Sequence, residues 1–207
     1  MMKFILTIPP VLLALTVHEF AHGWMAYRLG DPTPKLAGRL TLNPLKHLDP
    51  IGTLMVFLVR IGWAKPVPVN PYNFRNPVSG MLLTAAAGPG ANFVLAIALG
   101  LCYRLLSGFH PLYGSFSYRM VLFMIEFTIF ISIALGIFNL IPIPPLDGSK
   151  ILMGLLPERY RESYGRLERY GPVILVAFIM IDRALPFSIL GSLVIGLAGF
   201  LEYVLTS

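Results

Sequence analysis

The sequence predicts an all-α polytopic membrane protein, with about six hydrophobic segments and a short membrane-associated β or re-entrant region at roughly 30–77. Three observations carry this. Of 207 residues, 56% are hydrophobic and 13% charged, with a mean hydropathy of +0.74. That is more apolar surface than a soluble core can hide, so lipid must be part of the solvent. Several apolar runs reach the roughly 20 residues a bilayer-crossing helix needs. Basic residues gather in alternate loops, as a positive-inside topology requires.

The hydrophobic segments fall at about 4–29, 51–61, 78–106, 118–141, 173–181 and 187–205. The first, third, fourth and last are long enough to cross. Pro9-Pro10 in the first is tolerable near a helix start or as a kink. Segment 51–61 is too short and reads as re-entrant or interfacial. Segment 173–181 is also short and either crosses a thinned region or pairs with the last helix, so four to six crossings are expected. The first segment opens with Lys3 and an apolar run, like a signal peptide. It leads into a polar motif with no small-residue cleavage site, so it is expected to be retained.

Arg28, Lys35, Arg39, Lys46, Arg60, Lys65 and Arg75 lie between the first and third segments, and Arg159, Arg161, Arg166 and Arg169 follow the fourth. The loop 107–117 has no Lys or Arg. A multi-pass protein of the cell membrane with its basic stretches in the cytoplasm follows. The same stretches account for the net charge of +6, and nucleic acid is not an expected partner. The single cysteine, Cys102, excludes an internal disulfide and a Cys-based zinc site. Length fits one domain, 1–207.

Residues 30–77 hold eight prolines, too long a stretch for an idle connector. Trp63-Ala64-Lys65-Pro66-Val67-Pro68-Val69 alternates as an extended strand does, and its prolines restrict it to an edge. Such an edge can hold an extended peptide by backbone pairing. The plainer alternative is an interfacial loop.

Chemistry enters at His18-Glu19-Phe20-Ala21-His22, after a run from Phe4 to Val17 without Lys, Arg, Asp or Glu. Positions i and i+4 share a helix face, so both imidazoles can hold one ion while Glu19 leans over its water. This is the zinc and general-base signature of metalloproteases. Ionisable groups within a span are expensive, and a shared metal gives three of them one reason. The plainer alternative is a polar stripe facing other helices. From Phe4, His18 lies about 21 Å along the helix, and Arg28 about 9 Å beyond His22. The motif is therefore expected below the surface, nearer the cytoplasmic side.

A catalytic zinc needs three protein ligands and one open position. The best third ligand is Asp147, within Asn139-Leu140-Ile141-Pro142-Ile143-Pro144-Pro145-Leu146-Asp147-Gly148. Pro142 and Pro144 break the fourth segment at the motif's end of the membrane, and Gly148 relieves crowding beside the aspartate. Glu126 would lie about 31 Å along a helix from Asp147. His47 and Asp49 sit in a turn-rich loop that could approach the ion, and His110 falls on the opposite side. Gly88-Pro89-Gly90, flanked by alanines, would let helices pack closely.

These blocks carry a resemblance. The chain resembles the site-2 protease family of intramembrane zinc metalloproteases in His18-Glu19-Phe20-Ala21-His22, Gly88-Pro89-Gly90-Ala91-Asn92 and Asn139 to Gly148, in the family's order. Leu42 to Gly52 is similar to its compact bacterial and archaeal branch. The resemblance implies one zinc ion per chain on His18, His22 and Asp147, with Glu19 catalytic and Asn139 beside the site, steadying an oxyanion. It implies that Asn92, behind Gly88 and Pro89, supports the active-site core. Its activity would be hydrolysis of peptide bonds in or near membrane segments of membrane-protein or peptide substrates. Regulated proteolysis and clearance of signal-peptide remnants are both open. No stretch is long or soluble enough for the family's PDZ or CBS modules, so a minimal catalytic core is expected. A zinc transporter would string ionisable groups along a path, and only Glu126 lies deeper. The bilayer is a partner on any reading, and whether a homo-oligomer forms is not legible.

Overall fold

The computed structural model describes residues 2–52, 55, 62–108, 115–185 and 188–207. The long apolar runs form helices: α1 Met2–Arg28, α3 Pro77–Ser107, α4 Phe116–Asn139, α7 Gly171–Ala184 and α8 Ile189–Thr206. Shorter helices join them: the single turn α2 Thr33–Leu36, α5 Asp147–Leu155 and the charged α6 Glu158–Glu168. Helix starts carry the expected chemistry. Pro77 occupies the first turn of α3, and Asn76 Oδ1 accepts from Ser79 N–H at 3.1 Å.

Helices α1, α3 and α4 pack on one another, α8 lies against α3 and α4, and α5 folds back onto α3. The centre is Ala96, Ile129, Ile133 and Ala198, where small residues let helices approach closely. The outside is apolar too. Val94, Ile97, Leu101 and Leu105 form an exposed stripe along α3, Leu105 at 76%. Such a face suits hydrocarbon and not water.

Among the described residues, α3, α4 and α8 are long and apolar enough to cross a membrane. Helix α7, at 14 residues, rises about 21 Å, short of a ~30 Å hydrocarbon core. Five of the six expected segments thus correspond to helices. Most of 51–61, together with 109–114 and so His110, lies outside the described residues.

The described parts of 30–77 are tied to one another. Buried Asp31 accepts from Thr33 N–H (3.0 Å), Thr33 Oγ1 (2.5 Å), Asn70 N–H (2.7 Å) and Asn73 Nδ2 (2.6 Å), tying its beginning to its end. Leu48 bridges Ala64 and Lys65 N–H donates to His47 O at 2.9 Å, so the chain returns to where it left. The Arg39 guanidinium spans Lys46 O and Pro66 O. The expected strand over 63–69 does not form: its only pairing is the Ala64 bridge, and no strand occurs among the described residues. Pro66 and Pro68 remove every second donor, so a ladder cannot continue.

Candidate active site

Helix α1 carries His18, Glu19 and His22 into the bundle, one turn setting both imidazoles on one face. The break after α4 brings the chain back so that Asp147 opens α5. Gly148 makes that return possible: a Cβ there would stand 2.5 Å from Ile141 O, closer still to Leu140 O. The three side chains converge. His18 Nε2 and His22 Nε2 are 3.0 Å apart, and each is 3.1 Å from Asp147 Oδ2. The rings stand nearly perpendicular, at 87°.

The hydrogen bonds around this triangle leave its centre suited to a positive charge. His22 Nδ1 lies 2.7 Å from Thr84 O, a carbonyl that can only accept. The neutral ring therefore carries its hydrogen on Nδ1, and Nε2 faces the others bare. Among the described residues, buried Asp147 Oδ2 has no hydrogen-bond partner apart from the two imidazoles beside it. Bare His22 Nε2 and Asp147 Oδ2 thus face each other at 3.1 Å, a costly arrangement unless a proton or a cation sits between them. A tetrahedral ion with ligand bonds of about 2.0 Å separates its ligands by about 3.3 Å, close to the observed edges. Among the described residues this is the one group of three side chains able to hold a metal. Gly88 shapes its floor. An alanine Cβ there would come 2.5 Å from His22 Cε1 and 2.7 Å from His18 Cε1.

The triangle opens into a cavity of about 260 Å³, lined also by Glu19, Asn139, Thr84, Pro145, Lys150 and, from the pinned loop, Pro66, Val67 and Val69. Glu19 Oε2 accepts from Val67 N–H at 3.1 Å, and the residue lines the cavity. Asn139 turns one amide hydrogen back onto Leu135 O, 3.0 Å away, and lines the cavity. Asn92 is fully buried behind His18, its amide 3.3 Å from His18 Nδ1. Pro89 is buried in the same helix, and Pro142 accepts from Tyr164 through its carbonyl.

The loop rivals are occupied elsewhere. His47 Nε2 donates to Thr41 O at 2.8 Å, and Asp49 Oδ1 accepts from Gly52 N–H at 2.7 Å. Sequence reading missed Thr84, Lys150 and the docking of Val67 on Glu19. Lys150 had a signal, since it follows Asp147 by three residues on one helix face. So did Thr84, one turn before Gly88. Val67 had none, because its contact with Glu19 joins residues 48 positions apart.

Comparison with known proteins adds an independent line. The family model described as Peptidase family M50 matches residues 109–181, which include Asn139 to Gly148. YwhC of Bacillus subtilis, provisionally named a zinc metalloprotease, is 39% identical over 171 residues, covering 82% of this chain and 78% of its own. Rip2 of Mycolicibacterium smegmatis, provisionally named likewise, is 31% identical over 183 residues, covering 86% and 67%. Rip2 of Mycobacterium tuberculosis H37Rv is 29% identical over 182 residues, again covering 86% and 67%. No solved structure matches significantly.

Proposed function

Because the chain belongs to peptidase family M50, the site-2 proteases, and is a zinc metalloprotease of that family, we propose that it hydrolyses peptide bonds in or near transmembrane segments of membrane proteins. Residues 1–207 act as one catalytic unit in a multi-pass arrangement. The observation that carries the reading is the convergence of His18, His22 and Asp147, with Glu19 at their side, among helices of membrane-crossing length. The basic loops stand in the cytoplasm and the site lies nearer that face.

The two imidazoles and the Asp147 carboxylate would hold zinc. The bound ion supplies Lewis acidity toward a carbonyl and acidifies water. Everything else falls to side chains and backbone. Glu19 takes the proton of the attacking water on Oε1 and delivers it to the leaving amide nitrogen. Its other oxygen stays on Val67 N–H, so the carboxylate does not swing away between the two transfers. Lys150 and Asn139 line the same cavity. They meet the charge that develops on the carbonyl oxygen.

A helical substrate hides its carbonyls in its own hydrogen bonds, so it must unwind to be cut. The loop offers the unwound chain a seat. In strand-like pairing, residues two apart use the same edge, so Val67 presents its carbonyl and Val69 its N–H and carbonyl to the cavity, Val67 N–H being held by Glu19, while Pro66 and Pro68 have no N–H to offer the other side. Membrane-anchored regulators and signal-peptide remnants both fit that demand.

The test uses purified protein and a single-span model substrate in proteoliposomes. Wild type is expected to cut it and to stop on chelation. Glu19→Gln is expected to keep its zinc and lose at least about 10²-fold in turnover. Cleavage at the wild-type rate by Glu19→Gln would refute the assigned role.

A further inference from the structure

Asn92 lies one turn beyond Gly88 on α3, where the glycine lets both imidazoles approach and the asparagine reaches past it. Its amide nitrogen is drawn 3.3 Å from His18 Nδ1. Amide oxygen and nitrogen exchange places by a half-turn that leaves the side chain's outline unchanged, so the chemistry of the partner decides which atom faces the ring. The far end of the amide has no hydrogen-bond partner as drawn, so no contact made there chooses.

His18 does. If the Asn92 NH₂ donates to Nδ1, the hydrogen of neutral His18 sits on Nε2. That atom stands 3.0 Å from His22 Nε2 and 3.1 Å from Asp147 Oδ2, and its hydrogen would occupy the space where the ion binds. If Oδ1 faces the ring instead, Nδ1 carries the hydrogen and Nε2 is bare. His22 already has that tautomer, set by the Thr84 carbonyl at 2.7 Å. Histidine ligands generally donate their second N–H to a carbonyl or carboxylate, which fixes tautomer and ring direction together.

We infer that Asn92 is a positioning residue: its side-chain carbonyl accepts from His18 Nδ1 and holds that ligand in the tautomer zinc requires. The two histidines are then matched, one held by a backbone carbonyl and the other by a side-chain carbonyl, both from α3. The inference rests on the zinc reading above.

The test separates acceptor from donor. Asn92→Asp keeps an acceptor in the same shape and cannot donate when ionised. Asn92→Leu has similar bulk and neither capacity. With zinc affinity measured by chelator competition in detergent, Asn92→Asp is expected to stay within about threefold of wild type, and Asn92→Leu to weaken roughly 10–100-fold. Helix content is checked alongside. The chain has only four histidines, so nitrogen NMR of the zinc-loaded wild type reads which ring nitrogen of His18 keeps its hydrogen without any variant, and Nδ1–H is expected. A predominant Nε2–H form, or Asn92→Asp as weak as Asn92→Leu, overturns the inference while wild type still binds zinc. Wild type that binds no zinc overturns the metal reading and this inference with it.

Discussion

Gly88→Ala tests the tightness of the site with a single methyl group. The added carbon would sit 2.5 Å from His22 Cε1 and 2.7 Å from His18 Cε1, closer still to His22 Nε2. Ordinary carbon–carbon contact needs about 3.5 Å, so the rings must retreat by roughly 0.8–1 Å. They have little room. His22 is hydrogen-bonded to Thr84 O behind it, and His18 touches buried Asn92. Misplacement of about 1 Å at reacting groups costs on the order of 10²-fold in rate. The helix gains meanwhile, because alanine is favoured over glycine in a helix interior by about 1 kcal/mol. Gly88→Ala is therefore expected to fold at least as well as wild type by thermal melting while losing 10-fold or more in zinc affinity and about 10²-fold in cleavage. Unchanged zinc binding and turnover would refute the packing argument. A general loss of folding would refute it equally, since the strain would then not be local to the imidazoles.

Other outcomes follow from the same geometry. Asp147→Ala is expected to lose zinc and Asp49→Ala to keep it, read by metal analysis after desalting, since Asp49 serves only the Gly52 N–H within its loop. Val67→Pro removes the hydrogen bond to Glu19 Oε2 and is expected to lower kcat about 10-fold with zinc retained, whereas Val67→Ala stays near wild type in the same assay. Lys150→Met is expected to lower kcat with KM little changed; a change confined to KM would make it a binding residue instead. Burial works against ionisation of Asp31, but the Thr33, Asn70 and Asn73 donors outweigh it and hold its carboxyl below the ordinary value. A depressed folded value contributes stability in full above about pH 4 and loses it as pH falls through that lower value. Pepsin cleavage within 30–77 is therefore expected to accelerate below about pH 4 in wild type, and to be fast and much less pH-dependent in Asp31→Asn.

The parts legible in the sequence were those with local grammar. Apolar run length gave the helices, and a four-residue spacing put two imidazoles on one face. The prolines after Asn139 marked where the fourth segment must end, which made Asp147 the natural partner. Alternation over 63–69 was read rightly as a pattern and wrongly as a strand, because pattern describes side chains while a ladder needs the donors that Pro66 and Pro68 lack. Contacts between distant residues left no local trace. Nothing near Glu19 indicates that Val67 will dock on it, and nothing near Asp31 announces that it closes a loop on Asn70 and Asn73. Asn139 was expected at the cavity and lines it, but half its donor capacity returns to its own helix at Leu135. Helix propensity alone could not have divided it that way.

X-ray absorption at the zinc edge on purified wild-type protein tests the metal centre most directly. The expected spectrum has nitrogen and oxygen neighbours at about 2.0–2.1 Å, two of them imidazoles, and no sulfur shell near 2.3 Å. The imidazole signal should fall by about half in His22→Ala. A zinc-free active enzyme, or a spectrum without histidine scattering, would contradict the assignment of His18, His22 and Asp147.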